Sequence, residues 1–170
     1  MQDDNNEAIT APFDQKDFRS TMGQFCTGVV IATGAPNGVP AGFAAQSFVS
    51  LSLDPPLVAI CPGKGSTSWP KIRDSGAFCV NMLHASQVEV CNNFARSGGD
   101  KFSDLAWSRG ITGAPILADA LTYVECTLEN EFNAGDHTIA VGRVKAYKRL
   151  DEEAGPLLFF RGKYGQFEAF

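Results

Sequence analysis

The pattern of apolar and polar positions changes character along this chain, and each change predicts an element. Over Phe13–Cys26 the apolar positions Phe18, Met22 and Phe25 recur at helical spacing with polar residues between them, which predicts a short helix starting after Phe13. From Thr27 the residues turn β-branched and apolar, so TGVVIATG (Thr27–Gly34) reads as a strand. Asn37–Gly38 follows, and Asn-Gly between apolar runs signals a hairpin because both residues tolerate positive φ. The chain should therefore return antiparallel from Val39. GFAAQSFVSLSL (Gly42–Leu53) predicts a second strand, Asp54–Pro55–Pro56 breaks the chain, and LVAICP (Leu57–Pro62) predicts a third strand.

The next stretch alternates short helices with strands. Ser66, Thr67 and Ser68 are good N-cap residues, and Trp69–Pro70 suits a first turn, so a short helix should run to about Arg73. AFCVNML (Ala77–Leu83) reads as a strand. Ser86-x-x-Glu89 has the form of a capping box ahead of Val88, Cys91, Phe94 and Ala95, which predicts a helix. Arg96–Pro115 reads as loop. Leu121–Phe132 and His137–Leu150 read as long strands joined by the hairpin loop Asn133–Asp136, and Pro156–Gly162 as a last strand. Strands joined by hairpins, with few helices, predict a mainly β, mainly antiparallel barrel. There is no βαβαβ alternation and no GxGxxG, which excludes a Rossmann domain.

Composition narrows the class. The chain has 170 residues, 44% hydrophobic and 19% charged, which suits one globular domain with its own core. Residues 1–12 are polar and acidic and read as a flexible tail, leaving residues 13–170 as the domain. The formal net charge is −5 and no run of Lys or Arg occurs, which argues against nucleic-acid binding. The start lacks a basic region followed by an apolar one, so no signal peptide is expected. No apolar stretch approaches the roughly 18 residues that a membrane helix needs. A cytoplasmic protein with no membrane partner is expected. The five cysteines, Cys26, Cys61, Cys79, Cys91 and Cys126, are odd in number and share no CxxC spacing. They read as free thiols in a reducing compartment, and no metal site is expected.

Three features carry candidate chemistry, each beside a plainer reading. On a continuous strand, Gln46, Ser50 and Ser52 share one face and Ser47 the other. This is either a solvated strand face or a polar edge for a planar heterocycle. CPGKGSTSW (Cys61–Trp69) leads from a strand end through glycines and Lys64 into hydroxyl residues. It is either a capped turn or a phosphate site, to which Arg96 and Lys101 could add charge. His137, in GDHT, is either structural or a group that orients a second ligand; His84 has no such setting. No GxSxG elbow, cysteine nucleophile motif or carboxylate pair is present.

At these residues the sequence resembles the flavin reductase-like family, the small reductase components of two-component aromatic monooxygenases. The matching pieces are FRSTMGQFCTGVVIAT, GFAAQSFVSLSLDPPLVAICP, STSWPKI, SGAFCVNML, DKF, GDHTIAVGRV and PLLFFRGKYG, in the family's order over about Phe18 to Gly165. The opening and GFAxQSF look closest to reductases serving steroid-ring and phenol hydroxylases. The resemblance implies a Greek-key split β-barrel and a homodimer with flavin near the subunit interface. It implies NADH oxidation coupled to reduction of FMN or FAD, with reduced flavin diffusing to a flavin-dependent monooxygenase. By position, Gln46, Ser47, Ser50 and Ser52 match the strand along the isoalloxazine, and Cys61, Pro62 and Gly63 the next strand end. Thr67 and Ser68 match phosphate-side hydroxyls, Phe94 and Lys101 further flavin contacts. His137, the candidate catalytic residue, and Tyr164 match positions near the nicotinamide. Many relatives have Thr-Ala-Asn-Ser where this chain reads Ala44–Ala45–Gln46–Ser47, so side-chain contacts there need not carry over, whereas backbone contacts can. The rival readings are a flavin carrier or sensor without turnover and a pyridoxine-type oxidase; the latter calls for more basic residues than this chain has.

Overall fold

The computed structural model describes residues 8–170. Of the expected tail, residues 1–7 lie outside the described residues, and 8–12 carry no helix or strand. Helix α1 (Gln15–Met22) is capped by Asp14, whose side chain accepts the Asp17 N–H at 2.8 Å, and none of its residues is buried. The strand expected over Thr27–Gly34 divides in two. Strand β1 (Thr27–Gly28) pairs away from the main sheet, and β2 (Val30–Gly34) is buried along its whole length. The Asn37–Gly38 turn forms with φ of 50° and 80°, and β3 (Ala41–Ala45) returns antiparallel to β2, as expected.

The chain continues through β4 (Val49–Leu53), β5 (Pro56–Ile60), α2 (Trp69–Asp74), β6 (Ala77–Met82) and α3 (Val88–Ala95). A small hairpin, β7 (Trp107–Arg109) with β8 (Pro115–Leu117), precedes the long pair β9 (Thr122–Ala134) and β10 (His137–Arg149). Strands β11 (Leu157–Phe160) and β12 (Lys163–Gln166) complete the chain and join β1 in a three-stranded sheet.

The main sheet runs β3-β2-β6-β9-β10-β5-β4, every pairing antiparallel. Its two edge strands, β3 and β4, are consecutive in the chain, with only Gln46–Phe48 between them. Laid flat, seven strands would put those edges roughly 29 Å apart, whereas four residue steps span at most about 14 Å. The sheet must therefore roll up until its edges approach, which makes it a barrel split between β3 and β4. The single strand expected over Gly42–Leu53 is thus corrected: it bends at Gln46–Phe48, and that bend carries the chain from one edge of the split to the other.

Strand β2 explains why its sequence is apolar without alternation. Val30 and Ala32 face the barrel interior with Ile60, Phe78 and Val80. Val29 and Ile31 face the opposite way, into a second core formed with Leu83, Phe94, Phe102 and Leu157. A strand buried on both faces needs no polar side, and each fully buried Ile or Phe contributes about 1.5–3 kcal/mol relative to exposure.

Three local expectations are corrected. The Ser86–Glu89 capping box does not form, because the Ser86 hydroxyl lies at the His84 ring and the Gln87 side chain accepts the His84 N–H at 3.1 Å. Arg96–Pro115 is not all loop, since it contains β7. The β7–β8 turn is clasped by Glu125, a 1%-exposed carboxylate on β9 that accepts from Ile111 N, Thr112 N and the Thr112 hydroxyl. The last expected strand is followed by a partner, β12, across a turn in which Arg161 and Gly162 have φ of 49° and 76°. Two consecutive positive φ values are the signature of a tight hairpin.

Candidate functional site

The barrel split and the three-stranded sheet leave a cavity of about 580 Å³ between them, a volume within the usual range for small-ligand sites. It is lined by Phe43–Ser47, Cys61–Gly63, His137 and Tyr164, with Val29, Cys91, Ala95 and Phe159 as apolar walls. Ser47 ties its two main edges together. The Ser47 hydroxyl accepts the Cys61 N–H at 2.8 Å and lies 3.4 Å from the Cys61 carbonyl, joining the bend after β3 to the end of β5. Gln46 Oε1 accepts from the Thr27 hydroxyl at 3.2 Å.

A third edge comes from the start of β10. Gly63 and His137 form a β-bridge, the Thr138 N–H donates to Pro62 O at 2.9 Å, and the Lys64 N–H donates to Asp136 O at 2.9 Å. A Cβ on Gly63 would sit 3.7 Å from His137 Nε2, so the glycine backbone runs directly beneath the imidazole. His137 Nδ1 lies 2.7 Å from Asp136 Oδ1, which orients the half-exposed ring. The hydrogen bond to His137, and then its charge, hold the Asp136 carboxyl below the usual carboxylate range.

Tyr164, on β12, closes the opposite side. Its hydroxyl donates to Asn92 Oδ1 at 2.8 Å and lies 3.3 Å from Cys91 Sγ. Burial, and then the hydrogen bond to Cys91, push the phenol up to about 12, so it stays a neutral donor at ordinary pH.

A smaller hollow of about 230 Å³ adjoins the cavity, sharing Phe43, Ala44, Gly63 and Ala95 and adding Ser66–Ser68, Phe94, Arg96 and Lys101. Ser66 accepts the N–H groups of Ser68 and Trp69, at 3.3 and 3.1 Å, and so caps α2. Ser68 therefore makes no side-chain cap bond. Lys101 is 8% exposed, and its ammonium donates to the carbonyls of Gly42 at 3.3 Å and Phe94 at 3.1 Å. Burial lowers its pKa from the ordinary lysine value. No carboxylate bonds to it among the described residues, which leaves its charge available to an anion.

The structure thus gathers Gln46, Ser47, Cys61, Pro62, Gly63, His137 and Tyr164 around one cavity, and Thr67, Ser68, Phe94 and Lys101 around the adjoining hollow. Ser50 and Ser52 lie outside both linings, on edge strand β4, with a register shift between them. The face shared by Gln46, Ser50 and Ser52 assumed a continuous strand; the bend and the register shift break that count. The apolar walls Val29, Phe43, Ala95 and Phe159 escaped the sequence reading, because in sequence they look like core. Among the described residues no group of three or more His, Cys, Asp or Glu could hold a metal ion, and no helix is long and apolar enough to cross a membrane.

The structure is thus a mainly antiparallel split barrel whose part-apolar cavity leads into a cationic, hydroxyl-lined end. Residues 22–168 match the flavin reductase like domain, and the chain belongs to that family. It is 48% identical over 151 residues to the reductase subunit of a flavin-dependent monooxygenase from Rhodococcus jostii, covering 89% of this chain and 77% of that one. Among solved structures, it resembles a nitrilotriacetate monooxygenase component B homologue from Mycobacterium thermoresistibile, at 46% identity and a TM-score of 0.88. That match covers 91% of this chain and 87% of the other. The NADH:FAD oxidoreductase of Streptomyces globisporus, solved with NAD and FAD fragments, matches with a TM-score of 0.88 and 34% identity over 95% of this chain and 98% of that one.

Proposed function

We propose that this chain is an NADH-dependent flavin reductase that passes reduced FMN or FAD to a partner monooxygenase acting on a phenolic or steroid-derived aromatic substrate. The observation that carries the reading is the continuity of the cavity with the Thr67–Ser68–Lys101 hollow, in a chain of this family. The residues present fit a flavin. Val29, Phe43 and Phe159 offer apolar walls to its rings, Gln46–Ser47 and Cys61–Gly63 a polar rim, and Thr67, Ser68, Arg96 and Lys101 a seat for its phosphate. When bound, the flavin takes up a hydride from NADH and a proton, yielding NAD⁺ and a reduced flavin that carries two electrons away.

The chain's own part is position and electrostatics. His137, steered by Asp136, and Tyr164, held by Asn92, present polar groups at the walls of the cavity and would orient the nicotinamide. No residue is required as a base. The cavity is not enclosed, which suits a flavin that must leave. The free cysteines suit a reducing cytoplasm. A homodimer is supported by large apolar side chains left exposed, among them Phe25 at 77% and Leu53 at 90%. The carrier or sensor reading has less support, because the relatives are reductases by name.

Steady-state oxidation of NADH and NADPH, each with FMN and FAD, tests the proposal. Acceleration well above the rate of free flavin is expected, with NADH favoured. A rate no different from free flavin would sink it.

A further inference from the structure

Strand β12 is the edge of its sheet and pairs only with β11. The turn before it is held at the end of α1, where Arg161 donates its N–H to Gly23 O at 2.9 Å and its Nε–H to Gln24 Oε1 at 2.7 Å. Beyond that turn, the Tyr164 hydroxyl makes the only hydrogen bonds, among the described residues, that join β12 to anything but β11. Both of its partners stand on α3. The hydroxyl has one proton to give, and Asn92 Oδ1 is the better acceptor and the nearer, at 2.8 Å against 3.3 Å for Cys91 Sγ. Asn92 Nδ2 lies 3.5 Å from Glu89 Oε1, one turn earlier, which sets the carboxamide with its oxygen towards the phenol. Burial raises the Cys91 pKa, so the thiol keeps its own proton and can point it at the phenol oxygen. Helix α3 packs in turn against β3, whose Phe43, Ala44 and Ala45 line the cavity.

We propose that Asn92 is a positioning residue: by accepting the Tyr164 hydroxyl it latches β12 to α3 and holds the Tyr164 wall of the cavity at the spacing that hydride transfer from the nicotinamide needs. The inference rests on the flavin reductase reading and deepens it. The latch bears on the nicotinamide more than on the flavin. Strand β11, which carries the flavin wall Phe159, is fixed independently of β12, since it pairs with β1 and Leu157 bonds through its backbone to Val29 and Leu83. Thr67, Ser68 and Lys101 belong to other segments altogether. Slack in β12 therefore leaves the flavin seated but widens the space beside it. A misplacement of about 1 Å is enough to slow a reaction between groups held in near contact.

Substitutions at both ends of the latch test it. Asn92→Leu keeps the side-chain size and suits a helix, but accepts no proton. Mixing NADH rapidly with the flavin-loaded protein, without oxygen, reads hydride transfer as bleaching of the flavin absorbance. At saturating NADH that rate should fall by about tenfold in Asn92→Leu, while the flavin Kd stays close to that of the unaltered protein. Asn92→Asp, whose carboxylate can accept the same proton, should recover most of the rate. Tyr164→Phe should slow transfer as much as Asn92→Leu does, and the double variant should be no slower than either single one, because all three remove the same bond. Losses that add in the double variant overturn the proposal. So does an Asn92→Leu protein that transfers hydride at the unaltered rate, or an Asn92→Asp protein no faster than Asn92→Leu. In those three outcomes the flavin reading stands, because the unaltered protein still reduces flavin. If the unaltered protein does not, both readings fail.

Discussion

His137 and Tyr164 face the same cavity, but they are held in different ways. The imidazole is half-exposed, and among the described residues its hydrogen-bond partner is Asp136. Its removal should disturb a transient ligand more than the fold. His137→Ala is expected to raise the KM for NADH more than the KM for flavin, read from paired kinetics with each substrate varied; an unchanged NADH KM would remove the role. Tyr164 is tied into the protein by Asn92 and Cys91, and its pKa is raised to about 12, mainly by burial. An acid whose folded pKa lies above its unfolded value near 10 adds stability that is fully present below pH 10 and is lost as pH rises towards 12. Urea midpoints between pH 9 and 11.5 should therefore fall more steeply for the natural protein than for Tyr164→Phe. Parallel slopes would show that the hydroxyl is not held as described.

Between elements, β3 carries a constraint that joins packing to the site. A Cβ on Gly42 would lie 2.5 Å from Phe94 Cε1 and 2.9 Å from Cδ1, and that ring is 1% exposed between α3 and the sheet. The Gly42 carbonyl also accepts from Lys101. Gly42→Ala should thus cost about 1–3 kcal/mol by overpacking and also weaken flavin binding through a displaced Lys101. Gly65→Ala, with nothing within 4 Å of the new Cβ, is the control that should leave the unfolding midpoint nearly unchanged. Elements like β2, β6 and β10 are legible in the sequence because burial makes long β-branched or apolar runs. The bend at Gln46–Phe48 is not, because no Gly, Pro, Asn or Asp marks it although the chain changes direction there. Strands β7 and β8 are three residues each, too short for a period to emerge, and Arg161–Gly162 lacks the Asn or Asp that usually marks a tight turn. The polar and charged side of the site was legible from residue type. Its apolar walls were not, since Phe43 and Phe159 differ from core residues only in what lies beside them.

At the scale of the whole molecule, the apolar side chains left on the surface ask for a cover. Phe18, Met22 and Phe25, spaced as an amphipathic stripe, are 50%, 53% and 77% exposed, and α1 buries none of its residues against its own chain. Edge strand β4 exposes Val49, Leu51 and Leu53. Between the Phe25–Val30 segment and the bend lies an apolar groove of about 360 Å³, lined by Phe25, Phe48, Met82 and Leu121, which shares Val29 and Gln46 with the main cavity. A monomer seldom leaves so many large apolar side chains in water, and a second copy of the chain carries the same side chains to meet them. An interface over Phe25 and this groove would border the main cavity, so assembly and flavin affinity should be linked. Light scattering on the eluting protein should give twice the chain mass at micromolar concentration. Phe25→Asp and Leu53→Asp, both at solvent-facing positions that cost the single chain little, should shift that mass towards one chain and raise the flavin Kd together. A dimer that survives both substitutions would place the interface elsewhere, and a monomer with unchanged flavin affinity would separate the cavity from assembly.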